Sequence, residues 1–311
     1  MTRLLKALAD ALLVLFGVST LVFVLLAVVP GDPVDVVLGE SAQSADREAM
    51  REALGLNRPL VERWGAFYLD LLQGDLGESL VRREPVSALI AQRLPWTLAL
   101  AGAALLVVLL ISLPAGMLAA RNHNRWPDRA VQVIALLGLS IPNFWLGPLF
   151  VMLFSIGLGW LPVSGNQGAA SVVLPALTLG LSMAAVSTRM LRASLLEIMS
   201  QPYLRTARCK GLDEHAVMYR HALPNALAPF ITVLGLQLGA LLAGAVITEV
   251  VFAWPGIGTL LVDAIGQRDY PVVQGVVLVI AFGYVLSNRL ADLLVARVDP
   301  RIGAADTGAG T

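Results

Sequence analysis

Hydrophobic positions in this chain come in long unbroken blocks, without the short period of a half-buried helix or strand. Apolar runs occupy roughly Ala11 to Val29, Leu98 to Ala120, Ala130 to Leu161, Val172 to Val186, Ala226 to Val251 and Val272 to Ser287. A hydrocarbon core of about 30 Å is crossed by about 20 helical residues, so the blocks predict an all-α membrane protein with six transmembrane helices. The third block is longer than one crossing requires and contains Pro142 and Pro148. It predicts a kinked helix with an interfacial extension ending at Trp160. Two polar stretches interrupt the pattern: a long one from about Gly31 to Pro95, and a compact island between the fourth and fifth blocks.

Composition supports a lipid environment, since 57% of residues are hydrophobic and 14% are charged, with a mean hydropathy of +0.75, well outside the balance of soluble domains. The distribution of cations sets an orientation, because Lys and Arg collect in short cytoplasmic loops. With the N-terminus inside, the cytoplasmic segments hold Arg3, Lys6, Arg121, Arg125, Arg129, Arg189, Arg192, Arg205, Arg208, Lys210, Arg220, Arg289, Arg297 and Arg301. The other side keeps Arg268 and, in the long first loop among many Asp and Glu, Arg47, Arg51, Arg58, Arg63, Arg82, Arg83 and Arg93. Both termini are therefore expected in the cytoplasm. The first block is too long for a secretory leader and runs into Val28-Val29-Pro30-Gly31 without a small-x-small cleavage site, so it reads as a retained anchor. The single Cys209 has no intrachain disulfide partner and reads as a reduced cytosolic thiol.

The linear organisation is an N-terminal span (residues 1–30), an extracytoplasmic helical insert (31–95), a five-helix core (96–299) carrying the cytoplasmic loop 200–224, and a polar tail (300–311). In the insert, Gly55, Pro59, Gly74 and Gly77 punctuate short amphipathic helices, and Leu56, Leu60, Trp64, Phe67 and Leu71 form a stripe at helical spacing. Packing of that stripe on the membrane domain is the expected use, ahead of direct substrate contact.

The island predicts a short helix, with Pro202 suited to its first turn and Gly211 to its end. Asp213 then caps a second short helix running towards Pro224, which opens the fifth span. On the first helix Leu204, Ala207 and Gly211 share one face, while Arg205 and Arg208 lie on another. Small residues there would let a partner backbone approach, and the arginines offer charge-assisted hydrogen bonds to acidic groups. An interfacial helix whose arginines meet lipid phosphate is the competing reading on spacing alone.

The string Tyr203-Leu204-Arg205-Thr206-Ala207-Arg208-Cys209-Lys210-Gly211-Leu212, followed by Leu223-Pro224, resembles the cytoplasmic loop motif of ABC importer permeases, in the variant of dipeptide, oligopeptide and nickel permeases. The general motif begins Glu-Ala-Ala and has Ile two residues before Leu-Pro. Here Arg205-Thr206-Ala207 and His221 stand in those places, which fits the peptide and nickel group better than sugar importers. The resemblance extends through Pro30-Gly31-Asp32-Pro33, Leu54-Gly55-Leu56, Arg58-Pro59, Gly74-Asp75-Leu76-Gly77, Ser140-Ile141-Pro142-Asn143-Phe144-Trp145, Thr248-Glu249, Phe252-Ala253-Trp254-Pro255-Gly256-Ile257-Gly258, Arg268-Asp269-Tyr270-Pro271 and Asp299-Pro300-Arg301.

That resemblance implies the type I importer permease fold in a bacterial cytoplasmic (inner) membrane. It implies this chain as the first of two homologous permease subunits, with two cytosolic ABC ATPases that bind ATP and magnesium and an extracytoplasmic substrate-binding protein. No nucleic-acid partner is expected. It also implies ATPase coupling through Tyr203, Arg205, Ala207, Arg208, Gly211, Leu212 and Pro224. Independently, no phosphate-cradling loop is present, because neither Lys6 nor Lys210 follows a G-x-x-x-x-G run; energy must come from another chain or an ion gradient.

Polar groups inside the spans are candidates for the translocation path, because lipid exposure is costly for them. Glu249 leads, followed by Asn143, Gln237, Thr248 and Ser182. For Glu249 a structural anchor bonded to the Trp254-Pro255-Gly256 turn is preferred over substrate contact, and Asn143 is expected to cap backbone groups freed by the kink. His123, His215 and His221 all fall in cytoplasmic segments without a Cys/His cluster, so no metal site is assigned; transported metal would travel as a chelate. The short Pro162 to Ser171 loop and Ile141-Pro142-Asn143-Phe144-Trp145-Leu146 lean towards nickel-type permeases, features shared with glutathione and short-peptide permeases. A gradient-driven secondary transporter or channel is the alternative, and it would call for paired intramembrane charges or inverted repeats, neither of which is seen. A membrane enzyme would need a catalytic cluster near a membrane face, and none is seen.

Overall fold

The computed structural model describes residues 2–28, 34, 38 and 43–298. Pro30 to Pro33, Asp299 to Arg301 and the tail lie outside the described residues. The order of helices is α1 (Thr2–Val28), α2 (Ser44–Ala53), α3 (Leu60–Leu72), α4 (Val86–Arg121), α5 (Trp126–Ser140), α6 (Asn143–Phe150), α7 (Val173–Met199), α8 (Pro202–Cys209), α9 (Leu223–Val251), α10 (Ile257–Gly266) and α11 (Tyr270–Val298). Five helices are long and apolar enough to cross a membrane, and α5 with α6 and its π-helical continuation Val151–Gly157 makes up to six if that bent pair is one span. By packing, the chain forms two compact units, residues 1–98 with 255–283 and residues 99–254 with 284–311, so two boundaries fall inside α4 and α11 and the third between α9 and α10.

In the first unit, α3 packs on α1 through aromatic and hydroxyl groups. The Tyr68 hydroxyl donates to the Phe16 carbonyl at 3.0 Å and lies 2.7 Å from both Ser19 Oγ and Thr20 Oγ1. Trp64 meets Phe16 edge to face, and Phe67 meets Phe23 with ring centroids 5.8 Å apart. The Trp64 and Phe67 positions of the insert's stripe thus pack on the first span, as expected, whereas Leu60 is 45% exposed. A second cluster joins Val86, Leu89 and Ile90 of α4 to Ile257, Leu260 and Ala264 of α10 and to Val272, Val273 and Val276 of α11. The helix of the second span starts at Val86, so residues 86–95, read as the end of the insert, already belong to it.

In the second unit, α4, α7, α8 and α9 share a core of Val108, Ala120, Leu191, Leu195, Leu204, Ala207, Val217, Met218, Ala222, Ala226, Phe230 and Leu234. Glycines bring its helices close together. A Cβ on Gly180 would lie 2.7 Å from Val107 and 3.0 Å from the Ala104 carbonyl, and one on Gly235 would fall on Ala291 Cβ. Lipid tails are as apolar as the helices, so association in a membrane depends on such close contact.

The expected kink is a sharp break. The axes of Trp126–Ser140 and Asn143–Gly157 differ by 101°. Ile141 is extended (φ −90°, ψ 118°) ahead of Pro142, as steric clash with a proline ring demands of the preceding residue. Pro148 does not interrupt α6; the backbone widens into the π-helical turns just after it. Asn143 does not cap the break. It is the first residue of α6, the cap position is Pro142, and the Pro142 carbonyl accepts from the amides of Trp145 and Leu146 at 3.0 and 3.1 Å.

Candidate functional site

The island folds as its residues dictate, into the two-turn helix α8 with Pro202 in its first turn. Its end is a Schellman closure: Leu212 N–H donates to the Ala207 carbonyl at 3.4 Å and Gly211 N–H to the Arg208 carbonyl at 3.0 Å. Gly211 has φ +83°, and a Cβ there would meet nothing within 4 Å. Within this chain the glycine is therefore needed for its backbone conformation rather than to clear space for a neighbouring segment. The Asp213 carboxylate then accepts from Ala216 N–H at 3.2 Å, the cap expected from the sequence.

The second helix is not separate from the fifth span. Glu214–Ala216 passes through a π-helical stretch, Val217–Ala222, straight into α9. Pro224, near the start of α9, has no N–H to donate, and a widened turn ahead of it accommodates the missing bond. From Glu214 onward the backbone is thus continuous helix through Val251, while the turn at 210–213 separates it from α8.

The face expected to carry Leu204, Ala207 and Gly211 together is split, with the first two turned inward and Gly211 outward. Leu204 is fully buried and Ala207 is 9% exposed, both within the core shared with Leu191, Val217 and Phe230. Ala207 therefore serves the chain's own packing, its small side chain letting α8 lie close to the core, and it is not free for a partner. The outward face carries Tyr203, Arg205, Thr206, Lys210, Gly211 and Leu212, with Pro224 exposed at the start of α9. Arg208 is engaged at home, its Nε donating to Glu214 Oε1 at 2.7 Å and its Nη2 to Oε2 at 3.3 Å. The Tyr203 hydroxyl accepts from Asn225 Nδ2, which also donates to the His221 carbonyl. Glu214 and Asn225 brace the loop and were not singled out from the sequence; Glu214 lies six residues beyond Arg208, a separation that only the intervening turn brings within reach.

A second feature, near the start of α5, also escaped sequence reading. Asp128, the only acidic residue in the basic segment 121–130, is buried and holds Arg192 of α7 in a fork, with Nε to Oδ1 at 2.6 Å and Nη2 to Oδ2 at 2.7 Å. Asn124 N–H donates to the same carboxylate at 2.9 Å. This pair, buried at its carboxylate and partly exposed at its guanidinium, joins the start of α5 to α7. An isolated acid among arginines was the signal available in the sequence, but its partner lies 64 residues away.

The candidates for the path do not converge. Gln237 bridges α9 to α7, accepting from Ser187 Oγ at 2.9 Å and donating to the Met183 carbonyl at 3.3 Å. Ser182 donates to the Leu179 carbonyl of its own helix. Glu249 is completely buried and Thr248 is 2% exposed, with Thr248 Oγ1 lacking a hydrogen-bond partner among the described residues. The Glu249 carbonyl accepts from Trp254 N–H at 2.8 Å while Ala253 N–H donates to the Val250 carbonyl, closing α9 through Ala253 at φ +47°. A left-handed alanine costs about 1–2 kcal/mol, and buried Phe252 and Trp254 on either side hold it there.

Comparison with known proteins gives these features a context. Residues 112–304 match the family described as binding-protein-dependent transport system inner membrane component, and residues 1–101 match its N-terminal region. The chain is 42% identical over 297 residues to the glutathione transport system permease protein GsiC of Escherichia coli (strain K12), covering 96% of this chain and 97% of that protein. The same figures hold for GsiC of Shigella dysenteriae serotype 1 (strain Sd197). Among solved structures, the inward-facing MetNI methionine ABC transporter matches with a TM-score of 0.59 at 23% identity, covering 68% of this chain and 97% of that one. An amino acid ABC transporter crystallised with histidines matches at 0.54 and 14% identity, covering 68% and 94%. The two structures share the fold of this chain, and the family matches span nearly all of it. The chain belongs to the binding-protein-dependent transport system inner membrane component family, and is a multi-pass inner-membrane transport component rather than an enzyme.

Proposed function

We propose that this chain is one of two homologous permease subunits of an ATP-driven importer, taking peptide-like cargo of the glutathione class from an extracytoplasmic binding protein. Two cytosolic ATPases bind the nucleotide and magnesium. The cargo assignment rests on the 42% identity to GsiC along 96% of this chain, and it is preferred to the nickel lean of the Ile141 to Leu146 segment. The linear order of span, outer insert, five-helix core and cytoplasmic tail, with both termini inside, is retained on the distribution of arginines.

The observation that carries the coupling mechanism is the two-sidedness of α8. One face is seated in the chain's own core through Leu204 and Ala207. The other presents Tyr203, Arg205, Lys210 and Leu212 to the cytosol. A helix held this way can be pushed as a rigid body by an ATPase groove, and the core that Leu204 and Ala207 share with Val217, Ala222 and Phe230 carries the motion into the stretch leading to α9. Arg205 and Lys210 are the cations available to an acidic rim on the ATPase, whereas Arg208 and Ala207 position the helix. Glu249 acts as an anchor for the end of α9, because it is buried and its carbonyl closes the turn at Trp254.

The test is reconstitution of this chain with its co-purifying subunits and cognate binding protein in proteoliposomes. ATP hydrolysis and uptake stimulated by glutathione support the reading. Stimulation by chelated nickel instead would replace the cargo, and uptake driven by an ion gradient without ATP hydrolysis would overturn the importer.

A further inference from the structure

On the outer side of the first unit, the segment Gly77 to Val86 forms a tight loop with few residues and many restraints. Val86 N–H donates to the Gly77 carbonyl, Ser79 N–H to the Glu84 carbonyl and Arg83 N–H to the Ser79 carbonyl, at 2.9–3.0 Å. Glu78 and Pro85 form an isolated antiparallel bridge. The loop is also clamped from 190 residues away. The carboxylate of Asp269, 2% exposed, accepts from Ser79 Oγ and from Leu80 N–H at 3.1 Å, and Ser79 Oγ in turn accepts from Arg82 N–H at 2.9 Å. A buried carboxylate is here spent on holding an otherwise unremarkable solvent loop in one shape.

What the clamp displays is Val81, 42% exposed, with the exposed side chains of Arg82, Arg83 and Glu84 beside it. Arg268 is the chain neighbour of the clamping aspartate. Arg83 and Arg268 have φ of +55° and +51°, a region that non-glycine residues occupy at a cost of order 1–3 kcal/mol and that clusters at functional sites. Neither the Arg82 nor the Arg83 guanidinium has a partner among the described residues. The side of the membrane follows from the helices that leave the loop: α4 ends at Arg121 and α11 carries Arg289 and Arg297 near its end, all in the basic cytoplasmic set.

We propose that this clamped loop, with Arg82 and Arg83 at its tip and Arg268 beside its clamp, is a docking surface for the extracytoplasmic binding protein, meeting carboxylates on that protein. The inference rests on the importer reading above. An apolar residue among arginines is the composition of a protein interface, where Arg is enriched and partly exposed charges set register and association rate. A loop fixed in advance loses little freedom on binding, so contact energy is not consumed in ordering it. Exposed Glu78 and Glu84 flank the arginines, and carboxylates at these positions favour a protein with its own charge pattern over an anionic lipid surface.

The experiment uses the whole reconstituted complex in nanodiscs, with the binding protein titrated against immobilised complex and against uptake in matched proteoliposomes. The combined variant Arg82→Glu, Arg83→Glu should raise the half-saturating binding-protein concentration about tenfold, as expected for losing two interfacial cations, and flatten its salt dependence. Maximal uptake at saturation should be recovered. Arg82→Lys with Arg83→Lys should restore most of the affinity. If the reversal does not assemble, Arg82→Gln with Arg83→Gln must shift the titration in the same direction. An unchanged half-saturating concentration, with the unmodified complex responding normally, overturns the docking surface alone. A shift present in anionic lipid and absent in zwitterionic lipid assigns the arginines to headgroups and also overturns it. An unmodified complex that never responds to the binding protein overturns the importer reading itself.

Discussion

Gly211 illustrates how the role of a residue is decided by backbone shape. Its φ of +83° and the open space around its α-carbon mean that a side chain is tolerated sterically but strained conformationally. Gly211→Ala should therefore weaken the closure of α8 by about 1 kcal/mol and lower coupled ATP hydrolysis. Gly211→Asn, which reaches the left-handed region more readily, should retain most of it. Loss of coupling in both variants, with insertion intact, would instead locate the contact with the ATPase at the glycine itself. Asp128 and Arg192 make a second residue-scale case. Removing one member of a fully buried ion pair costs about 3–5 kcal/mol, and with Arg192 partly exposed the cost here falls below that range. Asp128→Ala is expected to lower the thermal unfolding temperature of the purified chain sharply, and the double variant Asp128→Leu, Arg192→Met should recover most of the loss. An additive double-mutant cycle would show that the two residues do not depend on each other.

At the scale of elements, helix association depends on small residues facing large ones. Gly235 lies so close to Ala291 of α11 that even a methyl group cannot be added without a shift of backbone. Gly235→Val should destabilise the second unit by more than the 1–3 kcal/mol typical of overpacking. Gly65→Ala in α3, where nothing lies within 4 Å, should be neutral or slightly stabilising because alanine favours helix. Thermal unfolding in detergent distinguishes them, and equal effects would mean that the close approach of α9 and α11 is not held in solution. The break between α5 and α6 belongs to the same scale. Ile141-Pro142 forces an extended residue into an apolar run, so one hydrophobic block becomes two helices at 101°.

At the scale of the whole molecule, the chain has a surface suited to lipid and to partners. Only 11% of the most apolar window of α1 is buried, so that helix presents most of its surface to the bilayer or to another subunit. Transport activity is accordingly expected from the assembled importer, and the reconstitution described above is its measure. Asn143, Gln237, Thr248 and Glu249 do not come together within this chain: Gln237 is occupied in bonding α7 to α9, and Glu249 and Thr248 are buried at the end of α9.

The membrane class, the approximate spans and the boundaries of α8 are legible in the sequence alone. Each follows from local properties: block length, Pro202 at a helix start and Gly211 at its end. Tertiary structure alone decided which face of α8 is inward, because Leu204 and Ala207 are buried by residues contributed from α4, α7 and α9. It likewise decided the pairings Asp128–Arg192 and Ser79–Asp269, 64 and 190 residues apart. Helical periodicity groups residues into faces without saying which face meets the core. A polar residue's partner is fixed only when distant segments are brought together, and that is information no local pattern contains.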